Sequence, residues 1–526
     1  MNFGFIIDNR KCIGCHACTV ACKSEHDVPV GVNRTWVKYI EKGEFPDTRR
    51  LFSVMRCNHC ADAPCVEICP VEALFTRQDG IVDFDDRRCI SCKACTQACP
   101  YDALYIHPET MTAAKCNYCT HRTDIGLEPA CVVVCPEHAI ISGDMDNPDS
   151  EISKLLARET VSVRKAEKGT NPKLFYIDGD NVSLNPTETN RSADYMWSNQ
   201  ASGVGKYARY AEQRMGGNAT REEFAAQKSN FVQISRRPEK ARRVYDAPAK
   251  GVLWGWEVAA YILTKAIAAG AFLVPVLGGM FFYNIPELLK QVGAVVAFIF
   301  LGITGILLIK DLGRPDRFLY VLLRPQWRSW LSRGAYIITV YGAVLTAWLI
   351  ASFAGYAEIL KFVEPVGIVF ALLSAVYTAF LFAQAKGRDF WQSPMLGLHM
   401  IIHSLMAGLA VMAIAGLFLK FNILLSSLLM IFTVAALTFH LITLAIELTT
   451  THTTEDAHRV VRQITKGKFS GAFWFGMVIV GNFIPAVILL TTENFIAVGV
   501  SGALILIGLA FAQHIWVKAP QEIPLS

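Results

Sequence analysis

From Pro136 to Ser526 the chain has no cysteine, so that long stretch forms no disulfide and offers no thiolate to a metal. Charge is also scarce: Asp, Glu, Lys and Arg make up 18% of 526 residues, and the formal net charge is only +5. The basic residues sit beside apolar runs and not on any nucleic-acid module, so binding to DNA or RNA is not expected. The opening Met1-Asn2-Phe3-Gly4 has neither an apolar h-region nor paired arginines, and no export of a folded domain is expected from it. A second soluble domain able to hold a large cofactor is missing as well. Substrate chemistry, if any, is expected on another protein.

What the chain does have is sixteen cysteines packed between Cys12 and Cys135 in four groups of four. They are Cys12, Cys15, Cys18, Cys22; Cys57, Cys60, Cys65, Cys69; Cys89, Cys92, Cys95, Cys99; and Cys116, Cys119, Cys131, Cys135. The third group is the ferredoxin run C-x2-C-x2-C-x3-C-P, and the others vary it by one longer interval or by lacking the proline. In such a run three thiolates on one loop hold three corners of a cubane, while the fourth reaches a neighbouring cluster. Four 4Fe-4S clusters are therefore expected. Structural zinc prefers two C-x2-C knuckles set well apart, and disulfide scaffolds are short secreted chains, so neither fits.

The remainder is apolar. The hydrophobic fraction is 52% and the mean hydropathy +0.33. Eight stretches, about 254 to 281, 291 to 309, 334 to 353, 365 to 385, 395 to 419, 422 to 448, 471 to 491 and 495 to 516, are each long enough as helices to cross ~30 Å of hydrocarbon. The fold expected is thus α+β, a ferredoxin-like domain of two tandem dicluster halves, followed by an all-α membrane domain of about eight helices. The expected boundaries are 1–185 for the cluster domain, 186–250 for a connector with a short helix near 221 to 228, and 251–520 for the membrane domain. Val161-Ser162-Val163 and Lys173 to Ile177 read as strands capping the cluster domain, with Gly169 and Pro172 turning between them.

With eight spans, both ends of the membrane domain lie on one side. That side gathers Lys310, Arg314, Arg317, Arg324, Arg328, Arg333, Lys386, Arg388, Arg459, Arg462, Lys466, Lys468 and Lys518, and Arg236 to Lys250 add six more; Lys290, Lys361 and Lys420 lie opposite. The bias places the cluster domain in the cytoplasm and the protein in the inner membrane. A periplasmic or outward-facing cluster domain is the alternative, if the basic loops instead dock an acidic partner.

Ionisable groups inside a bilayer are costly and suggest function. Glu257, Tyr261 and Lys265 recur every four residues on the first helix, below Trp254 and Trp256, and that face suits a quinone headgroup pocket. The alternative for Lys265 is a pair with Glu257 or with a helix carbonyl. His399 and His403 share a face of the fifth helix, and the sixth carries His440 and Glu447. His403 and His440 both fall ~12 Å deep, which permits contact. Interhelical hydrogen bonding, a quinone or proton path, and a bis-histidine haem all remain open for them.

The four-cluster pattern over about residues 3 to 185 resembles the iron-sulfur subunits of the DMSO reductase and formate dehydrogenase class. That resemblance implies shared ligand sets: Cys12, Cys15, Cys18 with Cys135; Cys116, Cys119, Cys131 with Cys22; Cys57, Cys60, Cys65 with Cys99; and Cys89, Cys92, Cys95 with Cys69. The membrane half, from Trp254-Gly255-Trp256 through Asp311-Leu312-Gly313-Arg314-Pro315-Asp316-Arg317-Phe318, is similar to the polysulfide reductase (NrfD-type) anchors. Those are eight-helix proteins that bind quinone near the cluster-facing ends of the early helices without haem, which argues against haem here. Relatives usually keep the two parts as separate chains, so this chain looks like a fusion, and many carry their clusters outside the cell.

The function implied is the electron-transfer and quinone-reacting membrane subunit of a respiratory oxidoreductase. It would connect a catalytic partner of the molybdopterin type to the membrane pool of menaquinone or ubiquinone through four 4Fe-4S clusters. The chief rival is a redox-driven proton pump or transporter using Glu257, Lys265, His403 and His440.

Overall fold

The computed structural model describes residues 1–191 and 241–526, apart from 45, 248–249, 282–284, 420, 422, 451, 453 and 493. The cysteine-rich half is built from short elements around two four-stranded sheets. In the first, β1 (Phe3–Asp8) lies centrally, antiparallel to β8 (Ile140–Asp144) and parallel to β10 (Leu174–Ile177), with β9 (Val161–Ser162) antiparallel to β10 at the edge. The strands expected near 161 and 174 thus exist, but they extend the sheet that starts the chain and do not form a separate cap. Burial of Phe5, Ile6 and Ile7 fixes that sheet in the core.

The second sheet is a long hairpin, β2 (Thr35–Glu44) with β3 (Asp47–Arg56), inserted between the first two cysteine groups. It is completed by β12 (Ala241–Tyr245) and the two-residue β11 (Asn190–Arg191). Between these strands, residues 192–240 and the helix expected near 221 to 228 lie outside the described residues. β12 ties the end of the expected connector to the cluster half just before the first membrane helix. Two small ribbons, β4 (Leu74–Thr76) with β5 (Val82–Phe84) and β6 (Tyr105–Ile106) with β7 (Ala113–Ala114), follow the second and third cysteine groups.

Eight helices among the described residues are long and apolar enough to cross a membrane. They are α1 (Trp256–Phe281), α2 (Glu287–Lys310), α3 (Trp330–Phe353), α4 (Ala357–Gln384), α5 (Met395–Leu419), α6 (Ile423–Thr449), α7 (Ala472–Thr491) and α8 (Phe495–Lys518). The fourth starts earlier than its hydropathy suggests because Pro365 lies within the helix and does not begin it. α7 opens as a π-helical run, Ala472–Phe483.

Packing groups α1 to α4 and α5 to α8 into two four-helix sets, joined mainly by α1 against α5. Gly270 and Gly408 make that junction possible. A Cβ on Gly270 would fall 1.8 Å from the Ser404 carbonyl oxygen, and one on Gly408 would fall 2.2 Å from the carbonyl oxygen of Gly270. With no hydrophobic drive between helices in lipid, such close backbone contact is what holds them together. Large apolar side chains such as Ile306, Phe362 and Leu490 remain on the outside, as a lipid-facing surface requires.

Candidate iron-sulfur and intramembrane sites

All sixteen thiols are free, and most are buried. The four groups share one loop geometry. The second residue after each leading cysteine has positive φ: Gly14 (71°), His59 (43°), Ser91 (57°) and Tyr118 (64°). In two of them this turns the backbone N–H onto the leading sulfur, His59 N to Cys57 Sγ at 3.5 Å and Ser91 N to Cys89 Sγ at 3.4 Å. After each Cys-Pro the third residue from the cysteine repeats the left-handed turn, at Glu72, Asp102 and His138. Non-glycine residues in this region are strained and persist only where the surroundings impose them.

The thiols gather in the sets implied by the resemblance. Burial raises the Cys22 thiol, and Cys116, Cys131 and Cys119 push it the same way. Burial likewise raises Cys65, with Cys99, Cys57 and Cys60 adding to it, and Cys95, with Cys92, Cys89 and Cys69 adding. Cys12 is raised by burial and then by Cys135 and Cys15, while Cys18 is raised to about 11 with Cys12 contributing. Neighbouring sets also touch electrostatically: Cys18 with Cys131, Cys57 with Cys116, and Cys95 with Cys65. The sets therefore form a row. Cys15, at one end, is exposed.

Iron-sulfur clusters fit these residues. Thiols this desolvated hold their protons tightly against water, and a metal that takes the proton's place supplies the positive charge that the buried thiolates lack. Cys69, Cys89, Cys92 and Cys95 wall one cavity together with Pro70, Leu74 and Ile90. Between sets lie buried cations. Arg56 donates from Nη1 to Cys131 Sγ at 3.0 Å, while its Nε and Nη2 have no partner. Lys115, fully buried, donates to the Val82 and Cys116 carbonyls. An anionic group in the thiol pockets would supply the missing counter-charge.

The cavity set at the other end of the row is seated on the membrane half. Trp254 Nε1 donates to the Cys92 carbonyl at 3.0 Å, Gly313 N to Ser91 O at 3.2 Å, and Arg317 Nη1 to Cys89 O at 3.0 Å. Ser329 and Ser332 donate to Ile68 O and Pro70 O. Gly313 is required there, because a Cβ would stand 2.5 Å from Ser91 Oγ. Arg388 donates to Gln97, which in turn bonds Gln521. Of the basic residues counted for topology, Arg314, Arg317 and Arg388, and also Arg242 and Lys250 from the run before α1, thus bond the chain's own cluster half.

At this junction Lys93 pairs with Asp311 at 3.1 Å. Burial raises the Asp311 carboxyl to about 6, against the pull of Lys93, with the Glu257 charge adding to the rise. The sequence pattern did not single out Asp311 as a site residue because it stands in a loop of mixed charge.

The seven intramembrane candidates divide into two groups. Trp254 is buried and stacks on Phe382 and Trp391 at 5.7 and 5.6 Å. Tyr261 and Lys265 are buried facing Tyr377 and Thr378 of α4, while Glu257 is half-buried towards Asp311. Lys265 donates to the Ala375 carbonyl at 3.2 Å and to Thr378 Oγ1, and its ammonium lies 4.2 Å from the Tyr377 ring centre. Of the two pairings considered for Lys265, the structure has the carbonyl and not Glu257.

His399, His403 and His440 belong to the other four-helix set, because α5 turns that face towards α6, α7 and α8. The expected contact exists: His403 and His440 meet Nε2 to Nε2 at 3.1 Å. Gln513 Nε2 lies 2.8 Å from His403 Nδ1, and His440 Nδ1 lies 2.9 Å from Asn482 Oδ1. Glu447 lies 3.6 Å from His399 Nε2 and accepts from Ser393. Asn482 and Gln513 were not singled out from the sequence, although a lone amide within an apolar run was the available signal. Trp254, Glu257, Tyr261 and Lys265 therefore serve one neighbourhood, and the three histidines another.

Comparison with known proteins agrees with both halves. Residues 246–523 match the family model for polysulphide reductase, NrfD, and residues 11–74 and 48–145 match two models of the 4Fe-4S dicluster domain. A subunit of the tetrathionate reductase of Salmonella typhimurium is 44% identical over 188 residues, 35% of this chain and 75% of that protein. A polypeptide of the polysulfide reductase of Wolinella succinogenes is 43% identical over 180 residues, covering 33% and 93%. The arsenate respiratory reductase iron-sulfur subunit of a Shewanella species is 33% identical over 227 residues, covering 34% and 96%. By name these relatives are component polypeptides of reductases, and the likeness lies in the cysteine-rich third of this chain. The NrfD match spans more than half of the chain, and the protein therefore belongs to the NrfD polysulphide reductase family, fused in one polypeptide to a 4Fe-4S dicluster iron-sulfur domain.

Proposed function

We propose that this chain is the quinone-reacting membrane subunit of a respiratory reductase-type complex. When bound, four 4Fe-4S clusters would supply one-electron steps between a molybdopterin-type catalytic partner and a quinone that takes two electrons and two protons. Their ligands are Cys12, Cys15, Cys18, Cys135; Cys22, Cys116, Cys119, Cys131; Cys57, Cys60, Cys65, Cys99; and Cys69, Cys89, Cys92, Cys95. The carrying observation is the seat of the last set on the membrane half, where Trp254 bonds the Cys92 carbonyl.

The quinone pocket is assigned to the start of α1. Trp254, Tyr261 and Lys265 line its inner side, with Glu257 and Asp311 placed to hold and release protons beside the last thiol set. Exposed Cys15 lies at the far end of the row and marks where the catalytic partner would approach. The substrates of the relatives, tetrathionate, polysulfide and arsenate, define the class in which the partner's substrate is sought. The cluster half is assigned to the cytoplasmic face of the inner membrane, a reading supported by the basic excess beside the spans.

The test is to purify the chain in mild detergent with its bound partners and measure iron, molybdenum and tungsten per polypeptide. About sixteen irons, together with molybdenum or tungsten near one, support the reading. An iron content near zero overturns it.

A further inference from the structure

The histidine group between α5, α6, α7 and α8 is outside the proposed quinone pocket, and we propose that it is a transition-metal site of its own, built from His399, His403 and His440 with Glu447 as counter-charge. One ring nitrogen of each histidine lies within 4.8 Å of the other two, and all three residues are buried. Zinc–imidazole bonds of ~2.0–2.1 Å in a tetrahedral site set ligand nitrogens ~3.3 Å apart, close to the 3.1 Å between His403 and His440. The His399 nitrogen, within 4.8 Å of the other two, reaches that spacing with a movement of up to ~1.5 Å.

Two further observations point to a ligand. His399 Nε2 is buried and has no hydrogen-bond partner, with the Glu447 carboxylate standing off at 3.6 Å, an arrangement that is costly unless an ion draws on both groups. The two contacting rings are also braced from behind. His440 Nδ1 is held by Asn482 Oδ1, and Asn482 is itself fixed by donating to Met477 O at 2.7 Å within the π-helical run. His403 Nδ1 accepts from the Gln513 amide nitrogen, which leaves the hydrogen on Nε2; a metal bound at Nε2 moves that hydrogen to Nδ1, where the Gln513 amide turns to accept it with its oxygen. Hydrogen bonds on the far nitrogen orient metal-bound imidazoles and set their tautomer, and Asn482 accepting from Nδ1–H leaves His440 Nε2 with its lone pair facing inward. π-Helical turns are frequent at functional sites.

Charge balance favours a metal ion over a bare protonated histidine. A dication among three neutral imidazoles needs an anion nearby, and Glu447 is buried 3.6 Å from His399 Nε2, positioned by Ser393 Oγ at 3.0 Å. An imidazole set with one carboxylate suits zinc, with nickel as a competitor and copper(II) the tighter binder where it is available. The 3.1 Å approach of the two rings leaves no slot for a macrocycle between them.

The experiment uses the full chain purified with its clusters. Zinc, copper, nickel, cobalt and manganese are counted per polypeptide, and zinc-edge X-ray absorption is recorded before and after dialysis against added Zn(II). About one ion per chain in a nitrogen and oxygen shell with imidazole scattering supports the site. His403→Gln and His440→Gln are expected to lose the ion, and Asn482→Ala to weaken zinc binding ~10–100-fold, as removal of an orienting partner does. Iron content reports whether each variant folds, and should the histidine variants fail to assemble, the wild-type count and Asn482→Ala still decide. Less than about a tenth of an ion per chain with no uptake of added zinc, or a sulfur shell that assigns the zinc to the cysteines, overturns the proposal.

Discussion

The two halves of this protein keep their shape by opposite means. All fourteen non-glycine residues with positive φ among the described residues lie between His16 and Asp178, in the cluster half. That half accepts local backbone strain and buries free thiols and lone cations, a set of costs that metal–ligand bonds can offset. The membrane half shows no such strain among the described residues. It relies on glycine-mediated helix contact and on buried polar groups that find partners on neighbouring helices, such as Tyr341 with the Ala268 carbonyl. One half should fail when its metal is removed, the other when its backbones are forced apart.

The largest expected effect tests the first part. Chelation of iron should unfold the cluster half, read as rapid proteolysis within residues 1–191 while the fragment from α1 to α8 stays protected. Equal protection of both halves after iron loss would break the comparison. Next comes the helix junction. Gly270→Leu drives a side chain into the Ser404 carbonyl and should cost about 3 kcal/mol or more, read as loss of thermal stability in detergent with iron retained. Gly302→Ala, where a Cβ meets nothing within 4 Å, should instead be neutral or stabilise by up to about 1 kcal/mol through helix propensity.

The junction between halves gives two subtler tests. Asp311 has its carboxyl raised to about 6 from an ordinary 3.8, so the folded form holds this proton more tightly than the unfolded form. Its contribution is fully present below pH 3.8 and disappears as pH rises through about 6, an effect of order 2–3 kcal/mol. Asp311→Asn should flatten that part of the stability profile between pH 4 and 6.5, measured as melting temperature against pH. A profile unchanged by the substitution would place the pH dependence elsewhere. The smallest effect is Trp254→Phe, which keeps the ring stack but removes the bond to the Cys92 carbonyl. It should cost about 1 kcal/mol and slow quinol-driven reduction of the clusters without changing iron content.

Much of the architecture was legible because its signals are local. Cysteine spacing exposes the thiol loops directly, and apolar runs expose all eight spans, since a bilayer demands about twenty such residues in sequence. The hairpin Thr35 to Arg56 was not read, because its outer half is charged and exposed and its pairing depends on β12, which follows nearly two hundred residues later. The loop from Asp311 to Phe318 was read through its charge. Its role in seating Ser91 against Gly313 needs two distant segments to meet.

The sequence by itself determined the chemistry and its compartments: sixteen thiols in four repeated loops at one end, eight spans at the other, and a small set of ionisable groups too costly in lipid to be there by chance. Only the tertiary structure decided the order of the four thiol sets, which of them rests on α1, and that Lys265 and His403 serve different neighbourhoods. A ligand loop or an amphipathic span is specified by residues a few positions apart. The meeting of Cys92 with Trp254, or of His440 with Asn482, depends on how whole elements cross, and no periodicity along the chain encodes that crossing.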